Sequence, residues 1–213
     1  DTFIGLAEEI GEINAIGAVV LSNACRALAT WRRSFASACG VRMSVNVSPV
    51  QLKQRDFLET VESAVYDAGL VPSDVQLEVT ESALVESTGE SLKVLAGLKD
   101  RGFGIAMDDF GTGYSSLSSL SRLPLDVIKI DRSFMAELAN GQRPRSLLNA
   151  IVKLGSALDL HVTAEGVESR VQEEALQNLG CDSVQGFLLG RPGEFEAGTA
   201  LLLAQESQRT AAA

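Results

Sequence analysis

The chain has 213 residues, of which 46% are hydrophobic and 22% charged, and it carries a formal net charge of −10 with a single histidine. That size and apolar content suit one sizeable globular domain with its own core; the acidic balance excludes a general nucleic-acid surface, which needs a basic patch, but not a small phosphorylated ligand held through metal ions. With His161 alone, mechanisms that require a histidine pair are excluded, most zinc hydrolases among them, and a Ser-His-Asp triad would have to rest on this one ring.

No apolar run reaches the roughly 18 residues needed to span a bilayer, and no secretory signal opens the chain, so a soluble, cytoplasmic fragment without membrane contact is expected. Cys25, Cys39 and Cys181 stand far apart and outside metal-like spacing, which predicts ordinary thiols in a reducing compartment.

The chain opens on a helix-like segment over 3–9, and Leu21, Ala24, Leu28 and Trp31 continue with helical period. A strand over 41–46 ends at Asn46. Phe57, Val61, Ala64 and Ala68 predict the next helix, with Gly69 as its C-terminal cap, and a strand over 75–80 follows, carrying Glu78. Gly102 precedes a third strand over 103–108, which ends at Asp108; a fourth over 127–131 ends at Asp131. Leu147, Ile151, Leu154 and Leu158 mark a helix before the fifth strand, 161–165, which ends at Glu165. Val171, Ala175 and Leu179 mark another helix, capped by Gly180, before the sixth strand over 183–187 with Gln185. Residues 205–213 are polar and then featureless, and are expected to fray; the domain is read over 1–204.

Strands alternating with helices imply a parallel sheet, open or closed into a barrel. Asn46, Glu78, Asp108, Asp131, Glu165 and Gln185 each fall at or near the C-terminal end of a different strand. In a TIM-like (β/α)8 barrel those ends converge on one face, whereas in an open sheet they spread along an edge. Six polar ends favour the barrel. Six strands are two short of eight, and the expected account is that the parent protein has residues before Asp1 that complete the barrel.

Asp108 and Asp109 stand side by side where the third strand ends, in Met107-Asp108-Asp109-Phe110-Gly111-Thr112-Gly113-Tyr114. Two carboxylates about 4 Å apart repel by roughly 4 kcal/mol at an effective dielectric near 20, so a shared proton, a cationic side chain or a metal must compensate. Taken alone, the pair could also be a capped turn, with Asp109 facing solvent. Asn46, Glu78 and Glu165 would share the same bowl, and all are hard oxygen donors of the kind that Mg2+ or Mn2+ prefers. Lys129, flanked by apolar residues within its strand, either neutralises these acids or holds a nucleophilic water or phosphate oxygen. Glu168 could be no more than first-turn helix charge with Ser169 as the cap, and Glu81 is better suited to supporting a loop than to binding metal.

Taken together, Ser44-Val45-Asn46-Val47-Ser48, Glu78-Val79-Thr80-Glu81-Ser82, Asp108-Asp109-Phe110-Gly111-Thr112-Gly113-Tyr114-Ser115-Ser116-Leu117, Ile128-Lys129-Ile130-Asp131, Ala164-Glu165-Gly166-Val167-Glu168 and Val184-Gln185-Gly186-Phe187-Leu188 resemble the EAL domains, bacterial phosphodiesterases for the second messenger cyclic di-GMP. The resemblance runs from Asp1 to about Pro192. It implies a (β/α)8 barrel whose C-terminal face holds two Mg2+ or Mn2+ ions, and a reaction that opens the cyclic dinucleotide to linear pGpG. It implies Asn46, Glu78, Asp108 and Asp109 as metal ligands and Glu165 as ligand or base. Lys129 would orient the attacking water and Gln185 would join the metal-water network at the substrate. Phe187, Arg191 and Pro192 would lie beside the guanine base or dinucleotide backbone. Glu81 would hold the loop that begins at Asp109, with Glu168 and Asp131 in support. The Glu-Ala-Leu signature of the family is expected upstream of Asp1. Without it the fragment itself is expected to be catalytically crippled, while a parent that carries it would be active.

A non-hydrolysing cyclic di-GMP receptor is the rival reading, and the presence of Asn46, Glu78, Asp108, Asp109, Lys129 and Glu165 favours catalysis over it. A glycoside hydrolase fits less well, because the chain has one Trp and two Tyr to serve as sugar platforms. The resemblance further implies homodimers coupled to the loop at Thr112, Tyr114 and Ser115, and an upstream sensory or GGDEF-type domain in the parent protein.

Overall fold

The structure, a computed structural model, describes residues 2–85, 89–113, 117–138 and 142–211. Tyr114 and Ser115 lie outside these. In chain order the elements are α1 (Thr2–Glu9), α2 (Ile13–Ser34), β1 (Met43–Asn46), α3 (Phe57–Asp67), β2 (Val75–Thr80), α4 (Glu81–Val85), α5 (Gly89–Asp100), β3 (Gly104–Phe110), α6 (Leu117–Leu120), β4 (Val127–Ile130), α7 (Ser133–Leu138), α8 (Gln142–Ala157), β5 (His161–Ala164), α9 (Arg170–Leu179), β6 (Ser183–Val184) and α10 (Phe195–Ala211). The order of strands in the sheet is the order in the chain, β1 to β6. A doubly wound sheet reverses its order at a switch point and a barrel wall does not. The chain is an α/β fold with six strands of a TIM-like (β/α)8 barrel.

The residues separate into two compact units, one of Asp1–Leu77, Gly89–Gly104 and Pro192–Ala213, the other of Glu78–Thr88 and Ile105–Arg191. In the first, α2 buries Leu21, Cys25, Leu28 and Ala29, a stripe of helical period in which Cys25 takes the place expected for Ala24. The 22 residues of α2 are long and apolar enough to cross a membrane by length and composition, contrary to the expectation that no segment is; here its apolar stripe faces β1 and α3. In α3 the buried set is Phe57, Val61 and Val65, so Val65 points inward where Ala64 was expected. Asp74 receives Arg32 at 2.6 Å, and Arg32 also donates to the carbonyl of Val41, which ties α2 to the entry of β1.

Residues 205–211, expected to fray, continue α10. Its docking has specific causes. Trp31 stacks on Phe195 with ring centres 5.2 Å apart, its indole N–H donates to Thr199 Oγ1 at 2.9 Å, and the Ser37 amide donates to Glu206 at 2.8 Å. Gly198 lies under the indole, where an added Cβ would come within 2.6 Å of the ring.

In the second unit β3, β4, β5 and β6 pair in parallel, with Lys129 opposite Thr163 and Thr163 opposite Ser183. Ile130, Met135, Leu148, Ile151, Val152, Val162, Ala164, Val167 and Leu176 form its core. The buried face of α8 is set one residue on from the expected stripe: Leu148, Ile151 and Val152 face inward while Leu147 is half exposed. Val171, expected on the inner face of α9, is 75% exposed, and Leu176 carries the packing. In α8 itself Gly155 comes so near Val162 that a Cβ would meet its methyl at 2.2 Å. That closest approach, rather than the richest apolar stripe, sets which face turns inward.

Candidate active site

Lys129 is the third residue of β4, a strand buried along its whole length, and is itself 4% exposed. An unpaired charge there would be very costly. Three carboxylates answer it: Glu78 Oε2 from β2 at 2.5 Å, Glu165 Oε1 just after β5 at 2.6 Å and Asp108 Oδ1 from β3 at 3.2 Å. Burial works to strip the proton from Lys129. The hydrogen bonds to Glu165 and Glu78, and then the charges of Glu78 and Asp108, outweigh it and hold the lysine above its ordinary range. Three carboxylates against one ammonium leave two negative charges in surplus.

The surplus appears in the acids. Glu165 is pushed above the usual carboxylate range by its burial, which the Lys129 hydrogen bond opposes and the charges of Asp108 and Glu78 reinforce. Asp109 is raised as well, by burial and then by the neighbouring charges of Asp108 and Asp131. Asp131 goes the other way: despite partial burial, the hydroxyl and amide of Ser133 hold it low, the amide donating to Oδ1 at 2.9 Å.

Asp109 adopts a left-handed backbone, φ 55°, which a non-glycine residue seldom takes, and its amide donates to Asp108 Oδ1 at 3.0 Å. Pairing between β3 and β4 is irregular between Met107 and Phe110, so the two aspartates sit where the strand departs from its ladder. Glu81 at the start of α4 is buried, and its carboxylate accepts the amides of Gly111 at 2.8 Å and Gly113 at 3.2 Å. It pins the loop that follows Asp109. Gly111 has φ 97°, and a Cβ there would strike the ring of Phe134 at 2.6 Å.

The remaining expected residues divide. Arg191 places its guanidinium carbon 4.3 Å over the ring of Phe187, a cation–π pair on an exposed aromatic. Gln185 is exposed, and its backbone is held by both neighbours: its amide donates to Ala164 and its carbonyl accepts from Val167. Glu168 is exposed outside the cluster; Ser169 and Gln172 form the capping box of α9. Asn46 and Pro192 belong to the first unit, where Asn46 closes β1 and lines a cavity of about 230 Å³ with Asn14, Leu21, Gln51, Phe57 and Leu77. The tripeptide Glu174-Ala175-Leu176 lies on α9 with Leu176 in the core, away from the cluster.

Among the described residues no three acidic, histidine or cysteine side chains gather as a metal cage. The carboxylates converge on the ammonium instead. Their chemistry nonetheless fits a hard divalent cation: oxygen donors only, from β2, β3 and just after β5, with charge to spare. Sequence reasoning missed two residues. A Cβ on Gly186 would lie 2.2 Å from the carbonyl oxygen of Val167, and one on Gly166 would lie 2.4 Å from Cβ of Arg132. The readable signal was the repeated polar-glycine pair after a strand, Glu165-Gly166 and Gln185-Gly186.

A model of the EAL domain matches residues 1–192. The bifunctional diguanylate cyclase/cyclic di-GMP phosphodiesterase MucR of Pseudomonas aeruginosa is 45% identical over 190 residues, covering 89% of this chain and 27% of MucR. The chain thus spans about a quarter of the length of the curated relatives it matches. Among solved structures, the MucR phosphodiesterase in complex with c-di-GMP is similar with a TM-score of 0.84 at 44% identity, covering 90% of this chain and 76% of that one. The manganese and cyclic di-GMP complex of Klebsiella pneumoniae BlrP1 is similar with a TM-score of 0.76 at 28% identity, covering 85% and 45%.

Proposed function

The chain belongs to the EAL domain family, and from that premise we propose that it hydrolyses cyclic di-GMP to linear pGpG with two Mg2+ or Mn2+ ions. The observation that carries this reading is the buried Lys129 clamped by Glu78, Asp108 and Glu165, three acids whose surplus charge a site for a neutral or purely structural role would not retain. The named relatives that act on or bind cyclic di-GMP support the substrate, and the BlrP1 manganese complex supports the ion class.

On this reading, which follows the family, Asn46, Glu78, Asp108 and Asp109 would hold the ions, and bound ions would supply a nucleophilic water at neutral pH and neutralise phosphate oxygens. Lys129 fixes the orientation of the attacking water. Glu165, whose proton affinity burial raises, takes the proton of that water. The water oxygen joins phosphorus, one P–O bond of the ring opens, and the released ribose oxygen takes a proton from solvent, to which Glu165 later releases its own. Glu81 keeps the loop after Asp109 in register, and Phe187 with Arg191 offers a face for a guanine base. The chain works in this reading as a cytoplasmic part of a longer signalling protein and pairs as a homodimer, which its molar mass in solution, measured by sedimentation, would check.

The deciding measurement is conversion of cyclic di-GMP with Mn2+, followed by chromatography, by the parent protein extended upstream of Asp1 with its Glu-Ala-Leu segment intact. Appearance of pGpG that chelation abolishes and Asp108→Ala removes is expected. Tight cyclic di-GMP binding with no turnover under the same conditions would leave a receptor and sink the hydrolase reading.

A further inference from the structure

At the N-terminal ends of β5 and β6, on residues with no part in the proposed phosphodiester hydrolysis, a second constellation of reactive groups is assembled. The parallel register sets Thr163 opposite Ser183, and His161, two residues before Thr163, shares its face of the strand. Ser183 Oγ lies 2.9 Å from His161 Nε2 and 2.8 Å from Thr163 Oγ1. On the other side of the ring, Nδ1 faces Asp182 Oδ2 at 4.0 Å. That carboxylate is oriented by the amide of Val162, which donates to it at 2.7 Å. The His161 side chain is 50% exposed, so a small molecule can reach the hydroxyl beside it.

We propose that Ser183, His161 and Asp182 form an acyl-transfer site for small activated carboxylic esters. A hydroxyl is a weak nucleophile until a neighbouring base takes its proton, and the base in turn needs a third group to set its tautomer. These three residues stand in that order. Ser183 Oγ bonds to the carbonyl carbon of the ester while its proton passes to His161 Nε2. Asp182 Oδ2, 4.0 Å from Nδ1, is the carboxylate that faces this side of the ring. The tetrahedral intermediate collapses by breaking the bond to the leaving oxygen, which takes the proton from Nε2 and departs as the alcohol or phenol. Acyl-Ser183 remains, and water, deprotonated by the same ring, releases the carboxylic acid and restores the hydroxyl. The Thr163 hydroxyl, 2.8 Å from Ser183 Oγ, stands beside the attacking atom. No metal, oxidant or reductant enters the balance.

The test treats the protein with p-nitrophenyl acetate and, separately, with a fluorophosphonate probe, and maps adducts by mass spectrometry. A burst of p-nitrophenolate that persists in EDTA, with acetyl and phosphonyl groups on Ser183, is expected. Ser183→Ala should reduce the burst to the buffer level, and His161→Gln should slow acylation on the order of a hundredfold, the usual worth of a general base. Asp182→Asn should slow it on the order of tenfold, by loss of the third group. Adducts confined to other residues, a burst lost on chelation, or unchanged acylation in Ser183→Ala or Asp182→Asn would overturn the proposal. Adduct mapping on the unsubstituted protein decides the case even where a variant fails to fold. Because chelation silences the metal-dependent reaction and not this one, the two readings fail separately.

Discussion

Lys129 joins three carboxylates that would otherwise face one another in a buried site. Lys129→Ala is therefore expected to lose turnover while keeping Mn2+ binding, measured by pGpG release and by calorimetric titration of the metal; a full rate in the variant would remove Lys129 from the mechanism. Leaving buried charge unpaired costs roughly 3–5 kcal/mol, so the metal-free variant should unfold at lower urea, with Mn2+ restoring much of the difference. Glu81 acts at one remove, through the amides of Gly111 and Gly113. Glu81→Gln keeps the shape and loses the charge, and should lower turnover with metal affinity unchanged; equal loss of both would mean that Glu81 serves the ions directly. At this scale Lys129 was legible as an anomaly, a cation inside an apolar strand. The left-handed backbone of Asp109 was not, because it depends on where β3 leaves its ladder with β4.

The elements were legible by period and punctuation. Gly69, Gly102 and Gly180 all have positive φ after helices, as their positions predicted. Which face of a helix turns inward was less legible, as Leu147 and Val171 show; in α8 the inward stripe is the one that carries Gly155, in close contact with Val162. Two element contacts offer tests. A Cβ on Gly186 would collide with the backbone of Val167, which no side-chain rotation relieves. Gly186→Ala should destabilise the protein by about 1–3 kcal/mol, read by chemical denaturation, and a variant as stable as the parent would show that the β5 and β6 loops do not meet there. The contact of α10 with α2 reports through the only tryptophan, Trp31, stacked on Phe195. Phe195→Ala should shift Trp31 emission to longer wavelength, and an unchanged spectrum would undo the docking of that helix.

For the molecule as a whole, thiol chemistry gives a check that needs no ligand. Cys39 is exposed, whereas burial pushes the Cys25 thiol up to about 11. At pH 8 about one Cys25 in a thousand is thiolate, so Cys39 should react with a disulfide reagent at once and Cys25 only on unfolding; fast labelling of Cys25 in the native protein would contradict the packing of α2. The sequence by itself determined the alternation of strands and helices, the acids at the strand ends and, through six ordered motifs, the family. Those properties reside in residue type and spacing, which local periodicity and backbone chemistry express directly. Only the tertiary structure decided that Glu78, Asp108 and Glu165 close on Lys129, that Glu81 pins the following loop, and that His161 meets Ser183 and Asp182. The lysine cluster and the meeting of His161 with Ser183 depend on parallel register between strands, where a shift of one residue would turn these side chains to the opposite face.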